Sequence, residues 1–200
     1  MIIILASNNK GKIKEIQKLF NHKVIAFGEL LGDIDIPETG SSFKENAIIK
    51  ARFVYDLIKT KNLIKEDFIV ISDDSGISVD ALDNKPNIYS ARFAKVGASD
   101  EENNAKLVYM LKQKELTSSP AHYSAAICAI SKDNIYTTHG FMYGDVFLDS
   151  KGDNGFGYDP LFQAKGYKLR VAQLSSEQKQ QISHRAKALK LMKILLKDLD

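Results

Sequence analysis

The sequence places two adjacent carboxylates, Asp73 and Asp74, in the segment SDDSG directly after the apolar run of residues 68–71. Neighbouring carboxylates repel each other and are costly to bury unless a cation or a proton is shared between them. Their oxygens suit a hard cation such as Mg²⁺. We expect one carboxylate to hold a Mg²⁺ ion that arrives with phosphates, while the other acts as a base or supports the site. A surface turn is the alternative interpretation of Asp-Ser-Gly.

A second stretch that could take part in the chemistry is a polar loop. It follows the apolar N-terminal residues and ends in Gly-Lys at a predicted helix start. The free N–H groups and positive dipole end of a helix N-terminus favour an anion. The loop therefore predicts a phosphate site, although it lacks P-loop spacing. Asn8 or Asn9 could instead simply cap the helix. The candidate phosphate-binding residues are Ser7, Asn8, Asn9, Lys10, Gly11 and Lys12.

Two glutamates lie upstream of the aspartate pair. Glu38, in the segment IPETG, could add a third carboxylate to the predicted metal site. Glu45 stands three residues after Ser42, the spacing of a capping box, so a structural role is favoured for it.

Two later segments could bind the rest of a nucleotide. In GFGYDP, at 155–160, Phe156 and Tyr158 alternate with glycines that let a backbone approach a planar ligand closely. The alternative is a loop whose aromatic side chains fill the core. Ser183-His184-Arg185, which we place at the start of the last helix, has Lys179 shortly upstream. Such a basic helix terminus favours anions or carbonyl oxygens.

Strand-like and helical patterns alternate along the chain and predict a mixed α/β sheet with ligands at the carboxyl ends of strands. The first six residues predict a buried strand. The strand of 68–72 is expected to end at the carboxylates, and residues 77–79 can start another strand. Two strand-like runs, at 123–131 and 135–148, are joined by a plausible turn at 132–134.

Capping signals precede three of the predicted helices. They occur at Ser42, Ser99 and Ser175, each followed by Glu or Gln three residues later. Apolar residues then recur at helical spacing, and in the last case they continue through Ile182 to Leu199. An earlier helix carries Ile13, Ile16, Leu19 and Phe20 on one face.

The composition is that of an ordinary globular chain, with 200 residues, 44% hydrophobic, and a net charge of +3. This charge is too small to indicate a duplex DNA-binding protein, and it suits a small anionic ligand. The single cysteine, Cys128, excludes an intrachain disulfide and favours a cytoplasmic protein. The apolar N-terminus lacks the features of a signal peptide, and no run is long enough to span a membrane.

Taken in order, these segments resemble the inosine/xanthosine triphosphate pyrophosphatases, which hydrolyse non-standard purine nucleoside triphosphates. The likeness spans nearly the whole chain. It rests on ASNNKGK at 6–12, ETG at 38–40 with Phe43 and ENA at 45–47, SDDSG at 72–76, IYSAR at 88–92, GFGYDP at 155–160 and SHR at 183–185. The departures are small: Ser7-Asn8 stands where Thr-Gly is common, and Asn87 replaces a frequent glycine.

The resemblance implies a single elongated domain, residues 1–200, with two lobes around a central cleft, and a homodimer that uses Mg²⁺. Asp74 would be the general base and a metal-linked carboxylate, with Glu38 and Asp73 helping to hold the metal. Residues 7–12 would bind phosphates and Ser75 would contact the substrate. The base and nearby phosphates would be framed by Phe156, Gly157, Tyr158, Asp159, Lys179, His184 and Arg185.

The resemblance also implies a substrate class. ITP, dITP and XTP would be converted to the monophosphate and pyrophosphate, which keeps these nucleotides out of DNA and RNA. Donors such as Arg185 and loop N–H groups would favour the 6-keto group of the base over the adenine amine. Two alternatives remain: a broader nucleotide pyrophosphatase of the Maf-like group, and a sensor that binds purine nucleotides without hydrolysing them. No nucleic-acid or membrane partner is expected.

Overall fold

The computed structural model describes residues 1–17, 19–20, 22–132 and 134–197, and for Lys10, Lys14 and Glu15 it describes the backbone alone. The strands are β1 (Ile2–Leu5), β2 (Lys23–Ala26), β3 (Phe68–Val79), β4 (Lys85–Pro86), β5 (Ser118–Ile130), β6 (Ile135–Phe147) and β7 (Phe162–Ala164). The α-helices are α1 (Lys10–Gln17), α2 (Phe27–Leu31), α3 (Phe43–Thr60), α4 (Asp100–Gln113), α5 (Ser176–Ile182) and α6 (His184–Leu195).

The strands form one mixed sheet in the order β2-β1-β3-β5-β6-β7, and β4 pairs with β3. β1 runs parallel to both β2 and β3, whereas β4 and β7 are antiparallel to their neighbours. The register between β1 and β3 ends at the pair Leu5 and Ile71. The mixed α/β architecture predicted from the sequence is therefore confirmed.

The chain divides into two compact units, and β3 contributes residues to both. The first comprises Met1–Asp74, Ala125–Gly140 and Arg185–Asp200, and the second comprises Ser75–Ser124 and Phe141–His184. The description of residues 1–200 as a single two-lobed domain stays a prediction.

Helices cover both faces of the sheet in the first unit. On one face, Phe68 and Val70 of β3 pack with Ala47, Ala51, Val54 and Ile58 of α3. On the other face, Ile69 and Ile71 pack with Ile16 of α1 and with Ala188, Leu189 and Met192 of α6. Since side chains alternate along a strand, the odd and even residues of β3 face different helices. This alternation decides the partners of Asp73 and Asp74.

The second unit has its own core. Ile77 and Val79 of β3 pack with Leu107 and Leu111 of α4. The cluster also contains side chains from β5, β6 and β7, namely Ala121, Tyr123, Met142, Val146, Phe162 and Ala164. This packing anchors α4 against the strands of the second unit.

The structure corrects the prediction that a strand ends at the carboxylates. β3 continues without interruption from Phe68 to Val79, through Asp73 and Asp74. The strand can continue because cations and an amide bind the two carboxylates, so the buried charges do not force the chain into a solvated turn. Both carboxylates nevertheless lie beyond the end of β1, whose last pair with β3 is at Ile71.

The last helical segment is also divided. The cap at Ser175 begins α5 as predicted, but Ser183 has an extended conformation (φ −64°, ψ 145°) that ends the helix. The expected continuous helix is therefore wrong, whereas the prediction that Ser183-His184-Arg185 starts the last helix is confirmed. Leu199 lies outside the described residues.

The other caps and helix starts follow the sequence closely. Ser99 and Glu102 form a complete capping box for α4. Ser42 accepts from the Glu45 N–H, but the Glu45 carboxylate accepts from Ser41 instead of completing the box. α1 begins at Lys10, so part of the predicted polar loop belongs to its first turn.

β5 and β6 confirm the two predicted strand-like runs, although the expected turn between them includes Asp133, which lies outside the described residues. Among the helices of the described ranges, none combines the length and apolar character needed to span a bilayer.

Candidate functional site

Asp73 lies on the face of β3 that packs against α1 and α6, and two basic side chains bind it. Lys12 Nζ lies 2.6 Å from Asp73 Oδ2, and Arg185 Nε donates to the same oxygen at 3.2 Å. The side chains of Asp73 and Arg185 are almost fully buried. The first turn of α1 and the start of α6 thus bring two cations to one buried carboxylate.

These cations set the ionisation of Asp73. Burial alone would raise the pKa of its carboxyl group, but Arg185 and Lys12 outweigh that effect and hold the pKa well below the ordinary value. Burial also lowers the pKa of Lys12, although Asp73 partly offsets this. Asp73 is therefore a permanent anion at neutral pH that fixes both basic side chains.

Asp74 faces the opposite side of β3, toward α3. Asn46 Nδ2 donates to Asp74 Oδ2 at 3.1 Å, and Lys50 Nζ donates to Asp74 Oδ1 at 2.7 Å. Lys50 Nζ also donates to Glu38 Oε1 at 2.8 Å. One ammonium group therefore joins the carboxylates of Asp74 and Glu38.

Burial raises the pKa of Asp74 above its ordinary value, although the neighbouring Lys50 partly opposes the rise and Glu38 adds to it. For Lys50, burial favours the neutral amine, but Asp74 and Glu38 more than compensate and raise its pKa. Asp73 and Asp74 are adjacent in sequence, yet their pKa values move in opposite directions. A pair of carboxyl groups with separated pKa values is typical of acid-base sites.

Helix α3 positions both partners of Asp74. Asn46 and Lys50 are four residues apart, so they lie on the same face, and both are buried. Asn46 Oδ1 accepts from the Gly40 N–H at 2.8 Å, which fixes the orientation of the amide that binds Asp74. The Ser72 hydroxyl donates to the Ala47 carbonyl oxygen and ties β3 to the same turn of α3.

The carboxylate oxygens around Lys50 are suited to bind a hard cation. Glu38 and Asp74 place carboxylate oxygens within 2.8 Å of a common positive charge. The described residues contain no group of three or more His, Cys, Asp or Glu side chains that could hold a metal ion. Two carboxylates completed by water and substrate phosphates match the way Mg²⁺ is usually bound in phosphate-processing sites.

The loop before α1 is ordered by its own side chains. Asn9 Oδ1 accepts from the N–H groups of Gly11 and Lys12, at 2.9 and 3.1 Å, and so caps α1. Ser7 Oγ accepts from the Asn9 N–H, and Asn8 Oδ1 accepts from the Gly28 N–H. The structure thus shows the capping role for Asn9 and not for Asn8, and Lys12 already contacts Asp73. The Lys10 side chain lies outside what the structure describes.

In the second unit, the aromatic segment forms a charged cluster with α5. Asp159 Oδ2 accepts from Lys179 Nζ at 2.5 Å and from the Phe156 N–H at 3.1 Å. Lys179 Nζ also lies 4.2 Å from the centroid of the Phe156 ring, a cation–π distance. Gly155 has a positive φ of 86°, and a Cβ there would lie 2.1 Å from Asp159 Oδ2. Glycine is therefore required at this position.

The remaining candidate residues of the second unit differ in exposure. Phe156 is 37% exposed, whereas Tyr158 is buried in the core and its hydroxyl donates to the Ser90 carbonyl oxygen at 2.8 Å. The buried His184 ring stacks on Tyr123, with ring centroids 4.8 Å apart. Ser75 is a partly buried residue of β3 next to Asp74.

The loop N–H groups expected to recognise the base already have acceptors. The Phe156 N–H donates to Asp159, and the Gly157 N–H donates to Asp100 Oδ2 at 2.6 Å. Lysine and arginine side chains each carry several N–H donors, so Lys179 and Arg185 are chemically suited to donate to a ligand oxygen.

The sequence analysis missed Asn46 and Lys50 as site residues. Their signal was nevertheless present, because both fall beside the apolar stripe of Phe43, Ala47 and Ala51 on α3. A lysine and an amide on the buried side of a helix require polar partners. The sequence could not show that the partners were Asp74 and Glu38.

The geometry defines a class of protein. It is a mixed α/β protein with a buried carboxylate pair, one member neutralised by Lys12 and Arg185 and the other joined to Glu38 through Lys50. Such a site suits acid-base chemistry on an anionic, cation-bound ligand. The chain belongs to the Ham1 family, whose family model matches residues 3–195.

Curated relatives cover the whole chain. A dITP/XTP pyrophosphatase of Sulfurimonas denitrificans is 50% identical over 200 residues, 100% of both chains. One from Aliarcobacter butzleri is 50% identical over 98% of each chain. These matches confirm the family that the sequence motifs indicated.

Solved structures of Ham1 proteins support the same family assignment. The Ham1 protein of Staphylococcus aureus superposes with a TM-score of 0.85 at 40% identity, covering 100% of both chains. A HAM1 protein from Coxiella burnetii gives a TM-score of 0.86 at 33% identity over 99% of each chain. The fold is therefore that of the Ham1 proteins.

Proposed function

We propose that this protein is a nucleoside triphosphate pyrophosphatase that hydrolyses ITP, dITP and XTP to the monophosphate and pyrophosphate, with Mg²⁺ as cofactor. The names of its full-length relatives support this substrate class. The observation that carries the proposal is Asp74, a carboxylate of raised pKa held between Asn46 and Lys50 and linked through Lys50 to Glu38. Removal of these nucleotides would keep them out of DNA and RNA.

Asp74 is the proposed general base. Hydrolysis of a phosphoanhydride needs a water molecule placed in line and charge neutralised on the oxygens of the phosphates. A carboxylate with a raised pKa is better matched to accept a proton near neutral pH than an ordinary one. Asn46 and Lys50 fix the orientation of the Asp74 carboxylate, so its oxygens need not reorganise when the water is bound.

Lys12 and the loop of residues 7–12 are the proposed phosphate site, and Ser75 is a proposed substrate contact. Asp73 holds Lys12 and Arg185 in place, because both cations bind its Oδ2 atom. A cation fixed in advance stabilises developing negative charge without reorganising. We propose that Asp73 supports the metal site mainly in this way.

Glu38 and Asp74 would hold the Mg²⁺ ion. When bound, the ion would neutralise phosphate oxygens and the charge that develops on the leaving pyrophosphate. Lys50 would balance the remaining charge of the two carboxylates. The fit rests on the carboxylate oxygens that already share one cation in the structure.

Base recognition is assigned to Phe156, Gly157, Tyr158 and Asp159, together with Lys179, His184 and Arg185. The exposed Phe156 ring offers a stacking surface, and Lys179 and Arg185 offer donors for a 6-keto oxygen. An adenine would place an amine against these donors and leave them without acceptors. Keto purines should therefore be preferred.

We also propose that the protein acts as a homodimer in the cytoplasm. The only cysteine, Cys128, is buried as a free thiol, which suits a reducing compartment. Light scattering coupled to size-exclusion chromatography tests the dimer. A monomer at micromolar concentration would contradict it.

Product analysis tests the proposed function. The purified chain is incubated with Mg²⁺ and, separately, ITP, dITP, XTP, GTP, ATP and a pyrimidine triphosphate, and the products are identified by phosphorus NMR. We expect pyrophosphate and the monophosphate from the first three, and much slower release from the others. The Asp74→Asn variant, purified in the same way, controls for contaminating host enzymes.

Three outcomes would contradict the proposal. Release of orthophosphate in place of pyrophosphate would indicate that a different phosphoanhydride bond is cleaved. Equal turnover of pyrimidine nucleotides would favour the broader Maf-like activity. Nucleotide binding without pyrophosphate release would indicate a sensor.

A further inference from the structure

The backbone at Gly157 is held from both sides by two side chains of α4. Its N–H donates to Asp100 Oδ2 at 2.6 Å, and its carbonyl oxygen accepts from Asn104 Nδ2 at 3.0 Å. Asp100 and Asn104 are four residues apart, so they project from the same face of the first turns of α4. We call this arrangement the Gly157 clamp.

Packing does not hold this part of the loop. A cavity of about 490 Å³ borders it, and a Cβ built on Gly157 would meet nothing within 4 Å. Gly157 also has a positive φ of 63°. Glycine adopts this conformation and many others at similar cost, so the residue itself does not select one of them. The two hydrogen bonds of the clamp therefore supply much of what selects the observed conformation.

The clamp acts on the exposed aromatic ring next to it. On the other side of Gly157, Tyr158 is anchored by burial and by its hydrogen bond to Ser90. Phe156 precedes the clamp, is 37% exposed, and carries Lys179 Nζ against its ring. The Phe156 N–H also donates to Asp159, so the direction of the Phe156 ring depends both on that contact and on the peptide that Asp100 and Asn104 hold.

We propose that Asp100 and Asn104 are positioning residues that pre-orient Phe156 for stacking against the purine base. The inference rests on the proposed function, because it takes Phe156 as part of the base site. Without the clamp, the loop would sample other conformations, and substrate would have to select the competent one. The apparent affinity for the substrate is the intrinsic affinity multiplied by the fraction of molecules in the competent conformation. The rate of the chemical step at the phosphates is left largely unchanged.

Kinetics of Asp100→Ala and Asn104→Ala test the proposal. We expect KM for ITP to rise roughly tenfold in Asp100→Ala, the size expected for loss of one hydrogen bond to a charged acceptor, with kcat within about twofold. The matched control is Glu101→Ala. Glu101 lies in the same turn of α4, borders the same cavity and hydrogen-bonds to Ser99 instead of Gly157. Its KM should stay at the wild-type value.

A second readout does not depend on turnover. The chain contains no tryptophan, so Phe156→Trp introduces a single tryptophan at the exposed ring position, which is excited selectively at wavelengths that tyrosine does not absorb. In that background, Asp100→Ala should lower the fluorescence anisotropy and increase acrylamide quenching, whereas Glu101→Ala should leave both unchanged. Asp100→Asn retains an acceptor oxygen and should restore most of the wild-type anisotropy, which also covers the case in which the alanine variant folds poorly.

The two readouts separate the possible failures. Unchanged anisotropy in Asp100→Ala would overturn the clamp, whatever the activity of the protein. Lower anisotropy with an unchanged KM would overturn its role in positioning for substrate. A wild-type chain that hydrolyses none of the nucleotides would overturn the proposed function, and the anisotropy would still decide whether the clamp orders the loop.

Discussion

Lys50 Nζ lies 2.7 Å from Oδ1 of Asp74 and 2.8 Å from Oε1 of Glu38. A single buried ammonium group therefore compensates two carboxylates that would otherwise repel each other. It also limits the rise in the pKa of Asp74 that burial causes. Lys50 is thus central to the charge balance of the candidate site.

Replacing Lys50 should impair catalysis strongly. Lys50→Met keeps most of the length of the side chain but removes its charge, so Asp74 and Glu38 lose their shared partner. We expect kcat/KM for ITP to fall roughly a hundredfold, the scale of losing one pre-oriented electrostatic contact. Lys44→Met, at an exposed position of the same helix, is the control. Equal activity of the two variants would show that the Lys50 bridge is not needed.

Asp74→Asn should separate binding from turnover. The amide retains much of the shape of the carboxylate but cannot accept a proton from water. We expect kcat to fall by roughly a thousandfold, consistent with loss of a general base, while ITP still binds by calorimetry. Asp80→Asn, at an exposed position immediately after β3, should behave as wild type. Near-normal turnover in Asp74→Asn would remove this residue from the mechanism.

Metal removal should abolish activity reversibly. EDTA is expected to stop pyrophosphate release, and excess Mg²⁺ to restore it. Glu38→Gln should raise the Mg²⁺ concentration needed for half-maximal rate by roughly tenfold, because it weakens one of the two proposed carboxylate ligands. Glu66→Gln provides an exposed control. A Mg²⁺ requirement that Glu38→Gln leaves unchanged would exclude Glu38 from the metal site.

Asp73→Asn should reduce stability in a pH-dependent way. It removes the buried anion shared by Lys12 and Arg185, so the free energy of unfolding should fall by about 3 kcal/mol at pH 7. The folded-state pKa of Asp73 is depressed below its ordinary value of 3.8. Its stabilisation is therefore present above pH 3.8 and is lost as the pH falls below that value.

Urea unfolding of wild type and Asp73→Asn at pH 7, 5 and 3 measures this dependence. The difference between the two should be similar at pH 7 and 5 and smaller at pH 3. Asp35→Asn, at an exposed position in the same unit, is the control. A difference that stays constant down to pH 3 would contradict the assigned ionisation of Asp73.

Local signals predicted much of the fold. The caps at Ser99 and Ser175 start helices where expected, because a cap is a contact between residues three positions apart. β1, β5, β6 and the first part of β3 were recognisable from their apolar runs, whereas β2, β4 and β7 were not predicted. The periodic pattern of apolar residues did not show the break between α5 and α6, because the pattern continues across Ser183 and the interruption lies in the backbone of that one residue.

The site itself was only partly predictable. The pair Asp73 and Asp74 was conspicuous because charges in an apolar strand require partners. Their partners were not readable, since Lys50 lies 24 residues before Asp74 and Arg185 lies 112 residues after Asp73. Contacts over such separations depend on how helices pack on the sheet. Local periodicity carries no information about them.

The amino-acid sequence by itself indicated that two adjacent carboxylates follow a buried strand and need a cation, and its motifs indicated the family. Only the tertiary structure decided that β3 continues through them, so that alternation sends Asp73 toward Lys12 and Arg185 and Asp74 toward Asn46 and Lys50. The physical reason is that a strand fixes the direction of each side chain, whereas the charge that meets it comes from helices packed on each face.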